Sequence, residues 1–286
     1  MKKDMTVAII YDFDGTLADS NMQESSFIPS LGMDKDEFWD MTTDRARSKN
    51  MDRMLAYMTL MIDKAQEKGQ KITVNYLKKH GKSNDERLFP GLKTWFSHLD
   101  EIISNLCPGV MVQHFIISAG IKEMIEGSCI AKNFEYIFAS SFMYGVDGAA
   151  KYPAVAVNYT GKTQFLYRIN KGVNDIFNDE DVNRYVDKDK RPIPFEHMIY
   201  IGDGSTDIPA MKLVSDKGGF AIGVYAHDKT EAERMFRQKR VDYFCKADYS
   251  KDRDLFEMVT LRIRRLYYEW RIQRKIKNNL DDEKVN

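Results

Sequence analysis

The chain has 286 residues, 43 Lys plus Arg balanced by 43 Asp plus Glu, and 43% hydrophobic residues. That is enough for one sizeable core and a smaller second one, and the zero net charge argues against nucleic acid or an acidic membrane as a partner. Three scattered cysteines (Cys107, Cys129, Cys245) exclude a disulfide framework or zinc cluster, and no apolar run approaches a signal peptide or the ~20 residues of a membrane span, so a reduced, cytoplasmic protein is expected.

In chain order, the first element is an apolar run at residues 7–11, ending in the turn "DFDGT". About a hundred residues separate it from the next such run, at 112–118, too many for a single crossover helix. Within that gap Met51, Leu55, Met58, Ile62 and Ala65 recur at helical spacing, with Met54 and Met61 widening the stripe. Further helices are expected at 35–47 and 72–80, so residues 21–86 read as a mostly helical insert, a candidate lid. The methionine stripe is expected to be core, a pliable substrate wall being the sharper alternative.

After the second run, which ends in "SAG", come a helical pattern starting near Lys162, an irregular acidic excursion at 172–196, and buried runs at 198–201 and 220–224. A fifth short strand is expected at 243–245, then a helix with Leu255, Val259, Ile263, Leu266 and Trp270 on its apolar side. Its basic face (Arg262, Arg264, Arg265, Arg271, Arg274, Lys275) reads as solvated. Strands that are apolar throughout have both faces covered, and their alternation with helices predicts a Rossmann-like α/β fold with a parallel sheet. In such sheets ligands bind at the carboxyl ends of the strands, where the polar turns fall.

Asp12 and Asp14 leave the first strand pointing to one side, and "IGDGSTD" places Asp203 and Asp207 after another strand. Carboxylates gathered in this way repel unless a cation joins them, and Mg²⁺ takes one or two carboxylates together with phosphate oxygens. Gly15 is expected to let the backbone turn and direct its N–H toward an anion. Ser118 offers a hydroxyl followed by backbone amides, that of Ala119 first, and Lys162 offers a positive charge at a helix start. A hydroxyl, amides, a lysine and Mg²⁺ around a carboxylate describe a site for phosphoryl transfer.

The order Asp12-Phe13-Asp14-Gly15-Thr16, Ser118, Lys162 and Gly202-Asp203-Gly204-Ser205-Thr206-Asp207 resembles the four motifs of the haloacid dehalogenase-like (HAD) hydrolase superfamily. "FASSFMYGVDG" resembles the segment after the second motif in its phosphoserine-phosphatase-like members, and the insert resembles the family's helical cap, giving a core of 1–20 and 87–286 and a cap of 21–86. The resemblance implies Mg²⁺-dependent hydrolysis of a small phosphorylated metabolite. Asp12 would be nucleophile and metal ligand, and Asp14 general acid/base and, through its carbonyl, metal ligand. Asp203 would complete the metal site with Asp207 in support, and Gly15, Ser118, Ala119 and Lys162 would hold the phosphate. Lys162 lies 41 residues before Asp203, longer than usual, which leaves Lys171 as an alternative. Members with a phosphoserine preference carry a glutamate where this chain has Asn21; Glu24 is nearby but out of register. A phosphotransferase or mutase using the same intermediate, and a non-catalytic binding module, are the rival readings. "AVNYTGKT" lacks the first glycine of a P-loop, and in "GDGSTD" Asp207 stands where a dinucleotide loop needs glycine.

Overall fold

A computed structural model describes residues 5–283. Seven strands form one sheet: β1 (Met5–Tyr11), β2 (Val110–Ile121), β3 (Tyr136–Tyr144), β4 (Ala150–Val155), β5 (Met198–Gly202), β6 (Phe220–Tyr225) and β7 (Tyr243–Lys246). Their order is β4-β3-β2-β1-β5-β6-β7, with every neighbouring pair parallel except β3 and β4. The fold is therefore the expected Rossmann-like α/β architecture, extended at one edge by a hairpin that the apolar runs do not announce. The helices are α1 (Phe27–Ser30), α2 (Lys35–Ser48), α3 (Arg53–Glu67), α4 (Val74–Lys82), α5 (Leu92–Leu106), α6 (Lys122–Ile125), α7 (Lys162–Lys171), α8 (Asp179–Asn183), α9 (Ile208–Asp216), α10 (Thr230–Arg237) and α11 (Asp254–Glu283).

Both faces of the central strands β1, β5 and β6 are covered, which is why these are apolar without alternation. Successive side chains of β1 nonetheless serve different layers: Ile9 and Tyr11 enter one apolar cluster, Ala8 and Ile10 the other. The first cluster runs without a break from Ile9 and Tyr11 through Trp95 into Phe27, Phe38, Met58 and Met61, so the insert helices share the core of the sheet. On α11, Leu255, Val259, Ile263 and Leu266 are buried in the same layer, as their spacing predicts.

The insert helices start where the sequence supplies caps. Asp34 accepts from the amide of Asp36 (2.8 Å), Asp52 from those of Met54 and Leu55 (2.8 and 3.2 Å), and Thr73 from that of Tyr76 (3.1 Å). Each such cap contributes ~1 kcal/mol by satisfying amides that the first helical turn leaves open. At Gly81 of α4, an added Cβ would lie 1.8 Å from the carbonyl oxygen of Met124, so only glycine lets α4 lie against α6.

The registers bring the site together. Tyr11 pairs with Ile116 of β2 on one side and with Ile201 of β5 on the other. Asp12 follows Tyr11, Ser118 lies two residues beyond Ile116, and Asp203 two beyond Ile201, so all three emerge at the same carboxyl edge. The crossovers diverge between β1 and β5, the position where open α/β sheets form their crevice.

Candidate active site

Asp12 is buried, and its backbone N–H donates to the carbonyl of Ile201 at 3.0 Å, which fixes the end of β1 against β5. One carboxylate oxygen accepts from the amide of Phe13 at 2.7 Å; the other lies 2.7 Å from Lys162 Nζ. Lys162, at the first turn of α7, is fully buried and also lies 2.7 Å from Asp207 Oδ1. Burial alone would lower the lysine's pKa, but Asp12 and Asp207 outweigh it and hold the ammonium firmly protonated. Lys171, at the other end of α7, instead donates to the carbonyls of Val182 and Arg184, outside the site. Lys162 is the lysine that meets the carboxylates, and the excursion that lengthens its spacing to Asp203 is fastened by Lys171 and by Arg168 bound to Asp179.

Asp207 precedes α9, where the amino-acid type suggests a helix cap, yet its side chain caps nothing. Its Oδ1 accepts from Lys162 and from the hydroxyl of Tyr200 (2.8 Å), while its Oδ2 is buried without a partner. Burial pushes its pKa up, with Asp12 adding to the rise against Lys162. Tyr200 is the residue that sequence reasoning missed. It looks like strand core, but a fully buried tyrosine needs a partner for its hydroxyl, and that requirement was the available signal.

Asp203 accepts from Thr16 Oγ1 at 3.4 Å, and its pKa is raised by burial, then by Asp207 and Asp12. The carboxylate packs against Gly15, whose φ is +75° and where an added Cβ would lie 2.2 Å from Asp203 Oδ2. The expectation that the Gly15 N–H turns toward an anion is corrected here: it donates to the carbonyl of Ala18 at 2.8 Å and closes the turn. Glycine is needed for the left-handed turn and for Asp203's approach, both steric requirements.

Asp14 accepts from the amide of Met22 at 2.9 Å, and burial together with the charge of Asp12 holds its pKa well above the carboxylate range. Ser118 is buried and its hydroxyl oxygen accepts from the amide of Gly120 at 3.0 Å, which leaves its proton to donate. The carbonyl of Ala119 accepts from Tyr57 of α3 (2.7 Å) and from Ser140 of β3 (3.1 Å). A cavity of about 560 Å³ lies over these groups, bounded by Asp12, Asp14, Ser118 and Asp203 from the sheet and by Trp39, Met54 and Tyr57 from the insert. The methionine stripe divides accordingly: Met58 and Met61 are fully buried core, and Met54 faces the cavity.

One carboxylate oxygen from each of Asp12, Asp203 and Asp207 can be chosen so that all lie within 4.8 Å of one another. Three buried or half-buried carboxylates against one ammonium leave excess negative charge, and the unpartnered Asp207 Oδ2 lies in the same group. Hard oxygen donors at this spacing fit a divalent cation. Asp14's carboxylate is not among those three.

The sequence profile of the haloacid dehalogenase-like hydrolases matches residues 9–212, most of the chain. The chain belongs to this family. Among its relatives, an uncharacterized protein of Borreliella burgdorferi is 26% identical, the match covering 92% of this HAD chain and 98% of its own. Among solved structures, a substrate-bound phosphoserine phosphatase complex superposes with a TM-score of 0.56 at 16% identity, covering 90% of this chain and 99% of that one. A phospho-aspartyl intermediate analogue of phosphoserine phosphatase gives 0.51 at 16% identity, with coverage of 90% and 99%. These likenesses show that the HAD core shares its fold with phosphoserine phosphatases. No helix among the described residues is long and apolar enough to cross a membrane.

Proposed function

We propose that this hydrolase is a Mg²⁺-dependent phosphatase that cleaves a phosphate monoester of a small metabolite through an aspartyl-phosphate on Asp12. The observation that carries the reading is Asp12, which lines a cavity together with Asp14, Ser118 and Asp203 and is paired from behind with the buried Lys162, itself shared with Asp207. A carboxylate oxygen of Asp12 attacks phosphorus as the bond to the ester oxygen breaks. Asp14, kept in its acid form by burial and by the charge of Asp12, gives its proton to the departing alkoxide. Its carboxylate then takes a proton from the water that attacks phosphorus, which frees phosphate and restores Asp12. Lys162 and the Ser118 hydroxyl donate to the phosphoryl oxygens, with the amide of Ala119 beside them. Asp12, Asp203 and the carbonyl of Asp14 hold Mg²⁺, with Asp207 in support; when bound, the cation neutralises charge on the phosphoryl group and orients it.

Residues 21–86 act as the cap in this reading, closing the site against water while the ester is bound. Two latches support it: Tyr57 donates to Ala119, and Asn158 Nδ2 donates to Asp52 Oδ2 at 2.6 Å, joining the start of α3 to the loop before Lys162. The reading does not favour phosphoserine. Glu24, the carboxylate nearest to the place of the missing cap glutamate, accepts from Trp39 Nε1 (2.7 Å) and Asn21 Nδ2 (2.6 Å) and does not line the cavity over Asp12.

The test is phosphate release from a panel of phosphorylated metabolites, with Mg²⁺ and with chelator. Chelator-sensitive release is expected. Its absence from folded protein across the panel would overturn hydrolysis and turn attention to transfer onto a second hydroxyl.

A further inference from the structure

Above the carboxylates the cavity changes character. Besides Arg53, Asn21 and Gln23, its lining carries three rings: Trp39 from α2, Tyr57 from α3 and Tyr159 from the loop before α7. Two of them have their polar tips engaged by protein. The indole N–H of Trp39 donates to Glu24, and the hydroxyl of Tyr57 donates to Ala119. What these two offer the cavity is ring surface, their centroids 5.9 Å apart with the planes at 66°. Tyr159 also lines the cavity and is 44% exposed. At about 560 Å³ the space suits an organic ligand well beyond a phosphate group, within the ~300–1,000 Å³ common for small-molecule sites.

Building on the phosphatase reading, we propose that the alcohol portion of the substrate carries a flat aromatic or heteroaromatic ring, held against Trp39, Tyr57 and Tyr159. A flat ring meets aromatic walls edge-to-face or offset and gains more than a puckered aliphatic ring of the same size. Phosphate chemistry at the carboxylates and ring recognition at the aromatic lining then act on opposite ends of one molecule, and the rings are specificity determinants rather than catalytic residues.

The experiment compares kcat/KM for benzyl phosphate and cyclohexylmethyl phosphate, whose alcohols are of similar acidity and size and differ in the flatness of the ring. Roughly fivefold preference for benzyl is expected from aromatic contacts of ordinary strength. In Tyr159→Leu, an exposed substitution that the fold tolerates, and in Trp39→Leu, the ratio is expected to fall toward one. Because it is a ratio within one protein, it is insensitive to how much of a variant is folded. A ratio near one in the unaltered protein would overturn the ring assignment and leave the phosphatase reading intact. A preference that neither variant changes would overturn the assignment of these rings. If neither ester is turned over while the metabolite panel releases phosphate, the ring assignment is overturned and the phosphatase reading stands; silence on both overturns both.

Discussion

Replacement of Lys162 by methionine keeps much of the side chain's volume and removes its charge. The ammonium has no exposed surface and two carboxylate contacts of 2.7 Å, so the variant leaves Asp12 and Asp207 facing each other without compensation. Breaking a buried pair by removing one partner costs about 3–5 kcal/mol, because the remaining charges keep their desolvation penalty. For a chain of this size that corresponds to a drop in Tm of roughly 10 °C. The pH dependence has a definite sign. In the parent, Lys162 is raised in the fold, so its contribution is complete below the ordinary lysine range and constant between pH 5 and 8. In the variant Asp207, whose folded pKa burial already raises, loses the ammonium that holds it down; stability is kept while its carboxyl is protonated and lost as the pH rises through the folded value. Urea unfolding in chelator, followed by the fluorescence of buried Trp95, should therefore show a larger deficit at pH 8 than at pH 5. A variant within ~1 kcal/mol of the parent at pH 8, against the 3–5 kcal/mol expected of a broken buried pair, would refute the reasoning, as would a deficit that does not change with pH.

Other parts of the molecule give independent expectations. His114 of β2 is pushed down to about 3 by burial, from an ordinary 6.5, with Tyr11 OH at 2.9 Å from its Nδ1. Stability present above pH 6.5 should thus fall by ~1.4 kcal/mol per pH unit as the pH drops toward the folded value, and His114→Leu should flatten that acid limb by the same slope in pH-dependent denaturant titrations. Asp52→Ala removes both the cap of α3 and the acceptor for Asn158, with an expected loss of about 1–2 kcal/mol in thermal unfolding. A loss below ~0.3 kcal/mol would mean that neither contact bears on stability.

Much of this arrangement is legible in the sequence because burial on both faces leaves a strand no polar positions. That holds for β1, β5, β6 and the buried stretch 115–117 of β2, and the turns that follow three of them name the candidate site. It fails for β3 and β4. In β3 the small residues Ala139, Ser140 and Ser141 interrupt the apolar run, and Ser140 is there to serve the site, donating to Ala119 and accepting from the amide of Val157 (3.0 Å). The edge strand β4 contains Pro153 and is largely exposed, so neither periodicity nor propensity marks it. Residue type identified Asp12, Asp203, Asp207 and Lys162 as a group, but spacing left the lysine open until the contacts of Lys171 were known. Gly15 was correctly singled out for its turn and misjudged in its amide, since hydrogen bonding within a five-residue loop is a matter of geometry that composition does not carry. The ring-lined wall is less legible still. Trp39, Tyr57 and Tyr159 come from three separate segments, and only the fold brings them to one cavity.

The most direct test of the central claim is to mix the enzyme with a ³²P-labelled monoester that it turns over and quench in acid within one turnover. The account predicts label bound to protein, released by hydroxylamine as expected of an acyl phosphate, and absent from Asp12→Asn. Turnover with no protein-bound label, or label that persists in Asp12→Asn, would contradict it.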